Sequence, residues 1–187
     1  MLDKASLAVF NDVFHQGGLI AYPTEAVFGL GCDPNSQQAI ERLLKLKQRS
    51  ADKGFILIAS NFSQLQPYID ESVIASDKHQ AMLARWPSAI TQIVPAKKEV
   101  SSLLTGKFNS LAVRISAHPD VVELCNSINN AIISTSANIS GQHTLKTWQQ
   151  VEQQFGTQID YLVKEKTLGF SQPSMIIDAI SGKVLRK

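Results

Sequence analysis

The stretch from Ile20 to Asp33, IAYPTEAVFGLGCD, constrains this chain most, because an apolar strand-like run stops at Pro23 and leaves Thr24 and Glu25 at the stop. Pro23 lacks the amide donor that a regular ladder needs and biases Tyr22 toward an extended conformation. A polar pair exposed at a strand end is where open α/β sheets place their ligands. Gly29 and Gly31 follow at a spacing of two, which leaves one face of an extended segment bare for a ligand or for another backbone. A tight turn into a buried strand uses the same residue types, so on these residues alone the two readings are even.

The remaining chain alternates strand and helix patterns. Leu7, Val9, Phe10, Val13 and Phe14 recur at helical spacing between Ser6 and the Gly17-Gly18 stop, feeding a strand over Leu19 to Tyr22. Asn35 with Gln38 resembles a capping box for a helix whose apolar side is Ala39, Ile40, Leu43, Leu44 and Leu46. Phe55 to Ala59 reads as a strand covered on both faces, Ser72 to Trp86 as a helix ended by Pro87, and Ile90 to Val94 as a further strand. Leu111 to Ile115 reads as a strand carrying Arg114, a charge expected to face a ligand or solvent. His118-Pro119 opens a helix through Ile128, and Ala131 to Ile133 is a strand that delivers the polar run STSANISG, Ser134 to Gly141. A short helix around Trp148, Val151 and Phe155 and strands at Tyr161 to Val163 and Met175 to Ile180 complete the pattern. The expectation is a single α/β domain over residues 1–187, with a mixed parallel and antiparallel sheet flanked by helices.

Bulk properties exclude several classes. A net charge of +2 is too small to imply a nucleic-acid coat, so an anionic partner must meet a local patch. Cys32 and Cys125 are far apart without a CxxC partner, which suits buried thiols in a reducing compartment. No secretion-signal pattern occurs, and no stretch approaches the ~18 apolar residues of a membrane span, so a cytoplasmic protein is expected. The four histidines, His15, His79, His118 and His143, show no metal-ligand spacing. Neither a P-loop, a GxGxxG fingerprint nor a GxSxG elbow is present.

Two clusters remain as candidate chemistry. Arg42, Lys45, Lys47, Arg49 and Lys53 face only Asp52 in sequence. The helix dipole accounts for Arg42 and Lys45, whereas Lys47, Arg49 and Lys53 run on into a loop and suit an anion site. Ser134, Thr135, Ser136 and Asn138 can donate to phosphate or sugar oxygens, although caps and Asx turns use the same residues.

Taken together, YPTEAVFGLGCD, the KQR at Lys47 to Arg49, SLAVRISAHP from Ser110, STSANISG and PSMIID resemble the YrdC family, and within it the short bacterial threonylcarbamoyl-AMP synthases. The resemblance covers nearly the whole chain and implies a twisted mixed sheet with a concave basic groove. It also implies that L-threonine, bicarbonate and ATP give threonylcarbamoyl-adenylate and pyrophosphate, for threonylcarbamoyladenosine modification of tRNA next to the anticodon. Carried over residue by residue, it places Thr24, Arg114 and Ser174 on threonine, and Lys47 and Arg49 on the triphosphate. Ser110, Ser134, Ser136, Asn138, Thr144 and Arg186 are assigned to the rest of the nucleotide. Mg2+ would be carried by the ATP phosphates, since no carboxylate cluster offers it a cage. A downstream transferase complex of the TsaB/TsaD/TsaE type is implied, and tRNA or double-stranded RNA contact is an open alternative through Lys47, Arg49, Lys53, Lys107 and Arg114. A relative of the same fold acting on another amine or on carbamoyl phosphate is the third reading. The chain departs from the family pattern at Ser50, at Lys53-Gly54-Phe55 and at Met175.

Overall fold

The structure is a computed structural model that describes residues 2–187. Helix α1 (Lys4–His15) starts at Asp3, whose carboxylate accepts the Ser6 amide at 2.7 Å, and buries Phe10 and Phe14. Strand β1 (Ile20–Pro23) then turns through residues 24–27 into β2 (Phe28–Gly31), its antiparallel partner, with Pro23 opposite Phe28 and Ile20 opposite Gly31. The tight turn and the ligand mouth are therefore one feature. Thr24 and Glu25 are not exposed there as the sequence suggests; they are 5% and 2% exposed.

Helix α2 (Gln37–Lys47) is capped by Ser36 rather than by Asn35, which instead donates to the Tyr68 hydroxyl. After β3 (Ile56–Ala59), the expected helix over Ser72 to Trp86 shortens to α3 (Ser76–Leu83), preceded by a 3-10 turn at Glu71–Val73. Strand β4 (Ile90–Pro95), the one-turn helix α4 (Ser102–Thr105), β5 (Ser110–Ile115), α5 (Pro119–Ile128) and β6 (Ile132–Ser136) follow. The chain ends with α6 (Trp148–Phe155), β7 (Tyr161–Leu162), β8 (Met175–Asp178) and β9 (Val184–Arg186).

All nine strands form one mixed sheet in the order β7-β1-β2-β6-β3-β5-β4-β8-β9. The pairs β1·β7, β3·β5 and β4·β8 are parallel and the others antiparallel. Side chains alternate between faces along each strand, so the register decides what each face carries. One face holds Leu30, Leu57, Val113 and Ile133 in the main core, which includes Ala39, Ile40 and Leu43 of α2 and Val151 and Phe155 of α6. On the other face, Ile20, Tyr22, Ile58 and Ile132 pack with Phe10 and Phe14 of α1 and with Val121 and Leu124 of α5. Further along that second face the residues become small: Gly29 opposite Ser136, and Ser134 and Ala112 both opposite Ile56. Small side chains leave a depression where the two helices stop covering the sheet.

The bare face at Gly31 serves another backbone. A Cβ there would lie 2.1 Å from the Ile133 carbonyl oxygen and 3.1 Å from the Tyr22 ring. Gly31→Ala is therefore expected to destabilise the protein by about 1–3 kcal/mol, the usual cost of overpacking. Urea unfolding measures it, and an unchanged midpoint would show that β2 and β6 can move apart freely.

Candidate active site

The depression is a cavity of about 370 Å³. Its floor is the small-residue row on β2, β6, β3 and β5, and its walls come from the β1–β2 turn, the loop after α2, and the strands β8 and β9. Of the eleven site residues read from the sequence, Thr24, Arg114, Ser174, Arg49, Ser134, Ser136, Thr144 and Arg186 line it. Lys47, Ser110 and Asn138 do not. Glu25, Thr135 and Lys53, which belong to the polar and basic clusters read from the sequence but to which the family resemblance assigns no ligand, also line the wall.

At one end stand Thr24, Glu25, Arg114 and Ser174. The Thr24 hydroxyl donates to the Val27 carbonyl at 2.7 Å, closing the turn and leaving its oxygen lone pairs as acceptors. Arg114 faces neither solvent nor a bare cavity alone: Nη1 lies 3.1 Å from Glu25 Oε2, and the guanidinium is 6% exposed. Ser174 shares a 2.8 Å hydrogen bond with Thr91, itself fully buried, and its carbonyl accepts from Arg186 Nε at 3.1 Å and Nη2 at 2.7 Å. Those bonds aim the guanidinium of β9 at the cavity from an otherwise exposed strand.

Arg49 enters from the loop after α2, donating to the Gly54 carbonyl at 2.9 Å and stacking 5.4 Å from the Phe55 ring centroid. Its Nε has no hydrogen-bond partner. Burial lowers the pKa of both Arg49 and Arg186, and the Arg114 charge adds to the shift at Arg186. Four cations, Arg49, Lys53, Arg114 and Arg186, thus share the lining with one carboxylate, Glu25. Such a wall stabilises an anionic ligand, because converging positive charges are relieved by it.

Lys47 sits beneath this wall. It is 2% exposed, and Nζ donates to the carbonyls of Ser136 and, at 2.7 Å, Asn138. Burial, followed by the Arg49 charge, lowers its pKa to about 8. The Asn138 side chain is likewise engaged within its own loop, accepting from Ser136 Oγ at 2.6 Å and donating to the carbonyls of Ile139 and Gln142, each at 2.9 Å. Together they shape the loop that presents Ser136. Ser110 opens β5 opposite Pro95. Of the five cations offered for RNA-backbone contact, Lys47 and Arg114 are buried, while Arg49, Lys53 and Arg114 line the cavity.

Among the described residues no group of three or more His, Cys, Asp or Glu side chains comes together, and no helix is long and apolar enough to cross a membrane. Cys32 and Cys125 are both free and buried, and burial raises both thiols.

Comparison with known proteins gives three findings. The family model Sua5/YciO/YrdC, described as telomere recombination, matches residues 12–187. A protein of Idiomarina loihiensis named threonylcarbamoyl-AMP synthase is 49% identical over 169 residues, covering 90% of this chain and 91% of that one. Its counterpart in Pseudoalteromonas translucida, of the same name, is 47% identical over 186 residues and 100% of both chains. Among solved structures, P. abyssi Sua5 complexed with L-threonine superposes with a TM-score of 0.87 at 27% identity, covering 95% of this chain. This chain spans about half of that protein, 52% of its length.

Proposed function

The chain belongs to the Sua5/YciO/YrdC family, and from that premise we propose that it converts L-threonine, bicarbonate and ATP into threonylcarbamoyl-AMP and pyrophosphate. The observation that carries this reading is the single cavity joining Thr24, Arg114 and Ser174 to Arg49, Ser134, Ser136, Thr144 and Arg186. In this reading the threonine contacts and the phosphate contacts share one space, with Arg186, bonded to the Ser174 carbonyl, at the junction between them.

In this reading the bound threonine ammonium first releases one proton to solvent, and the free amine nitrogen then bonds to the carbon of bicarbonate, whose hydroxyl takes a second proton from that nitrogen and leaves as water. A carbamate oxygen then attacks the α-phosphorus in line, and the bond to the pyrophosphate oxygen breaks. The protein contributes position and charge rather than a covalent intermediate. Arg114 pairs with the α-carboxylate through its planar fork, which a lysine would not match. Thr24 and Ser174 meet the remaining polar atoms of threonine. Arg49 and Arg186 neutralise the phosphates, and the hydroxyls of Ser134, Ser136 and Thr144 hold the rest of the nucleotide. Lys47 and Asn138 act through the loop they shape. Magnesium enters as part of the ATP substrate, because one carboxylate in the lining, Glu25, is too few to cage a hard cation. The adenylate would pass, in the cytoplasm, to a TsaB/TsaD/TsaE-type transferase acting on tRNA.

Incubation with ¹³C-bicarbonate tests the reading. An adenylate bearing threonine and the label is expected, and formation of AMP without a labelled adenylate would contradict it. Within the same scheme, Thr24→Val keeps the volume but removes the hydroxyl. It is expected to raise the KM for threonine about five- to tenfold, the worth of one hydrogen bond, with the KM for ATP within about twofold of wild type. Steady-state kinetics with each substrate varied decides it, and equal rises would mean that Thr24 serves only the turn.

A further inference from the structure

Two buried charged side chains meet at the threonine end of the cavity, and each keeps an atom unused. Glu25 is 2% exposed and Arg114 6%, and both lie on the cavity wall. Glu25 Oε1 accepts the Ser116 hydroxyl at 2.7 Å. Oε2 is 3.1 Å from Arg114 Nη1, close enough for attraction, yet it makes no aligned hydrogen bond, and neither does Arg114 Nε. A buried ion pair that serves only the fold normally closes its hydrogen bonds, since otherwise desolvation outweighs the attraction. Here both residues line the cavity while the two unpaired atoms lie just beneath its surface, so the pair is left short of hydrogen bonds beside the space a ligand would fill.

We propose, resting on the threonine reading above, that Glu25 Oε2 accepts hydrogen bonds from the substrate's ammonium group while Arg114 takes its carboxylate. The pair then reads the amino acid as a zwitterion. Carboxylate, ammonium, carboxyl group of the substrate and guanidinium alternate in sign around one closed set of contacts. A simple hydroxy acid lacks the ammonium and brings an uncompensated negative charge beside Glu25, so the same residue selects for an amine.

Glu25 is held for this role from both sides. The Ser116 oxygen that donates to Oε1 also accepts the His118 amide at 3.1 Å, which fixes the hydroxyl in place. The His118 ring takes the Asp120 amide on Nδ1 at 3.3 Å, which assigns its proton to Nε2, 3.1 Å from the Lys166 carbonyl. The chain after Lys166 returns to the turn, where the Phe170 amide donates to the Glu25 carbonyl at 3.0 Å and the Leu168 amide to the Thr24 carbonyl at 3.4 Å. Backbone and Oε1 are thus both restrained, and Oε2 is the one polar atom of the Glu25 side chain that still lacks a hydrogen bond.

Calorimetric titration of wild type and Glu25→Gln with L-threonine and with 3-hydroxybutyrate, which carries hydrogen in place of the ammonium, tests the inference. The preference for L-threonine over 3-hydroxybutyrate is expected to fall about tenfold or more in the variant, as loss of a charged hydrogen-bond partner does. An unchanged preference, with both ligands weakened alike, overturns the inference, because Glu25 would then act only by holding Arg114. Wild type that binds no L-threonine overturns the functional reading itself and this inference with it. Ser116→Ala supplies a second variant that retains both charges and releases only Oε1. It is expected to weaken L-threonine about threefold or more without weakening 3-hydroxybutyrate, and unchanged threonine affinity overturns the inference independently of any folding defect in Glu25→Gln.

Discussion

Lys47→Met is expected to reduce turnover about a hundredfold and to lower stability by about 2–4 kcal/mol, as two buried carbonyls lose their donor. The methionine fills the volume of the lysine stem, so the loss is that of the ammonium group and not of packing. The carbonyls of Ser136 and Asn138 then face an apolar sulfur, and the loop that presents Ser136 to the cavity loosens. Activity and stability should fall together, unlike the pattern for a residue that only touches ATP. A Lys47→Met protein of native stability that had lost only its affinity for ATP would return Lys47 to the role of a phosphate clamp. The same lysine has a pH signature. Its ammonium releases its proton near pH 8 in the folded chain, against an ordinary 10.5. Between those values the unfolded chain binds the extra proton, so stability contributed by this group rises with pH across the window and is flat below it. The stability difference between wild type and Lys47→Met, followed by urea unfolding from pH 7 to pH 10, should widen above pH 8.

Arg114→Met is expected to be the most damaging substitution at the threonine end. It removes the partner of Glu25, leaving a carboxylate 2% exposed without its counter-charge. Breaking one side of a buried pair costs about 3–5 kcal/mol. Recognition suffers separately: kcat/KM for threonine should fall about a hundredfold or more, the range for losing a buried charge-assisted contact to ligand, with the KM for ATP changed far less. Arg114→Lys separates the two effects, since it restores a positive charge for Glu25 but lacks the planar fork. It should recover stability while leaving threonine kinetics poor. Full recovery of both would mean that charge alone, without bidentate geometry, holds the substrate carboxylate.

The elements that could be read from sequence are those whose signal is local. The apolar spacing of α1 and the runs at β3, β4 and β5 found their places within a few residues. The IAYPTEAVFG segment proved to be both hairpin and cavity wall, because Pro23 ends β1 at the place where Thr24 closes the turn. Lys47 carried a signal that the count of cations obscured. Ile40, Leu43 and Lys47 follow one another at spacings of three and four, so the lysine lies on the buried stripe of α2, not on its solvated end. Strand β9 left no such trace, for all three of its residues are exposed and it is held by pairing with β8 and by the Arg186 bonds to Ser174. The partnership of Glu25 with Arg114 and Ser116 was equally hidden, since it joins residues about ninety positions apart. Such pairings depend on strand order, which periodicity does not encode.

The most direct measurement is pyrophosphate release from ATP by the purified chain, with L-threonine and bicarbonate each supplied or withheld. Release that requires both, accompanied by an adenylate containing threonine, is the predicted result. Release that proceeds without threonine, or no release with all three substrates present, would contradict the account.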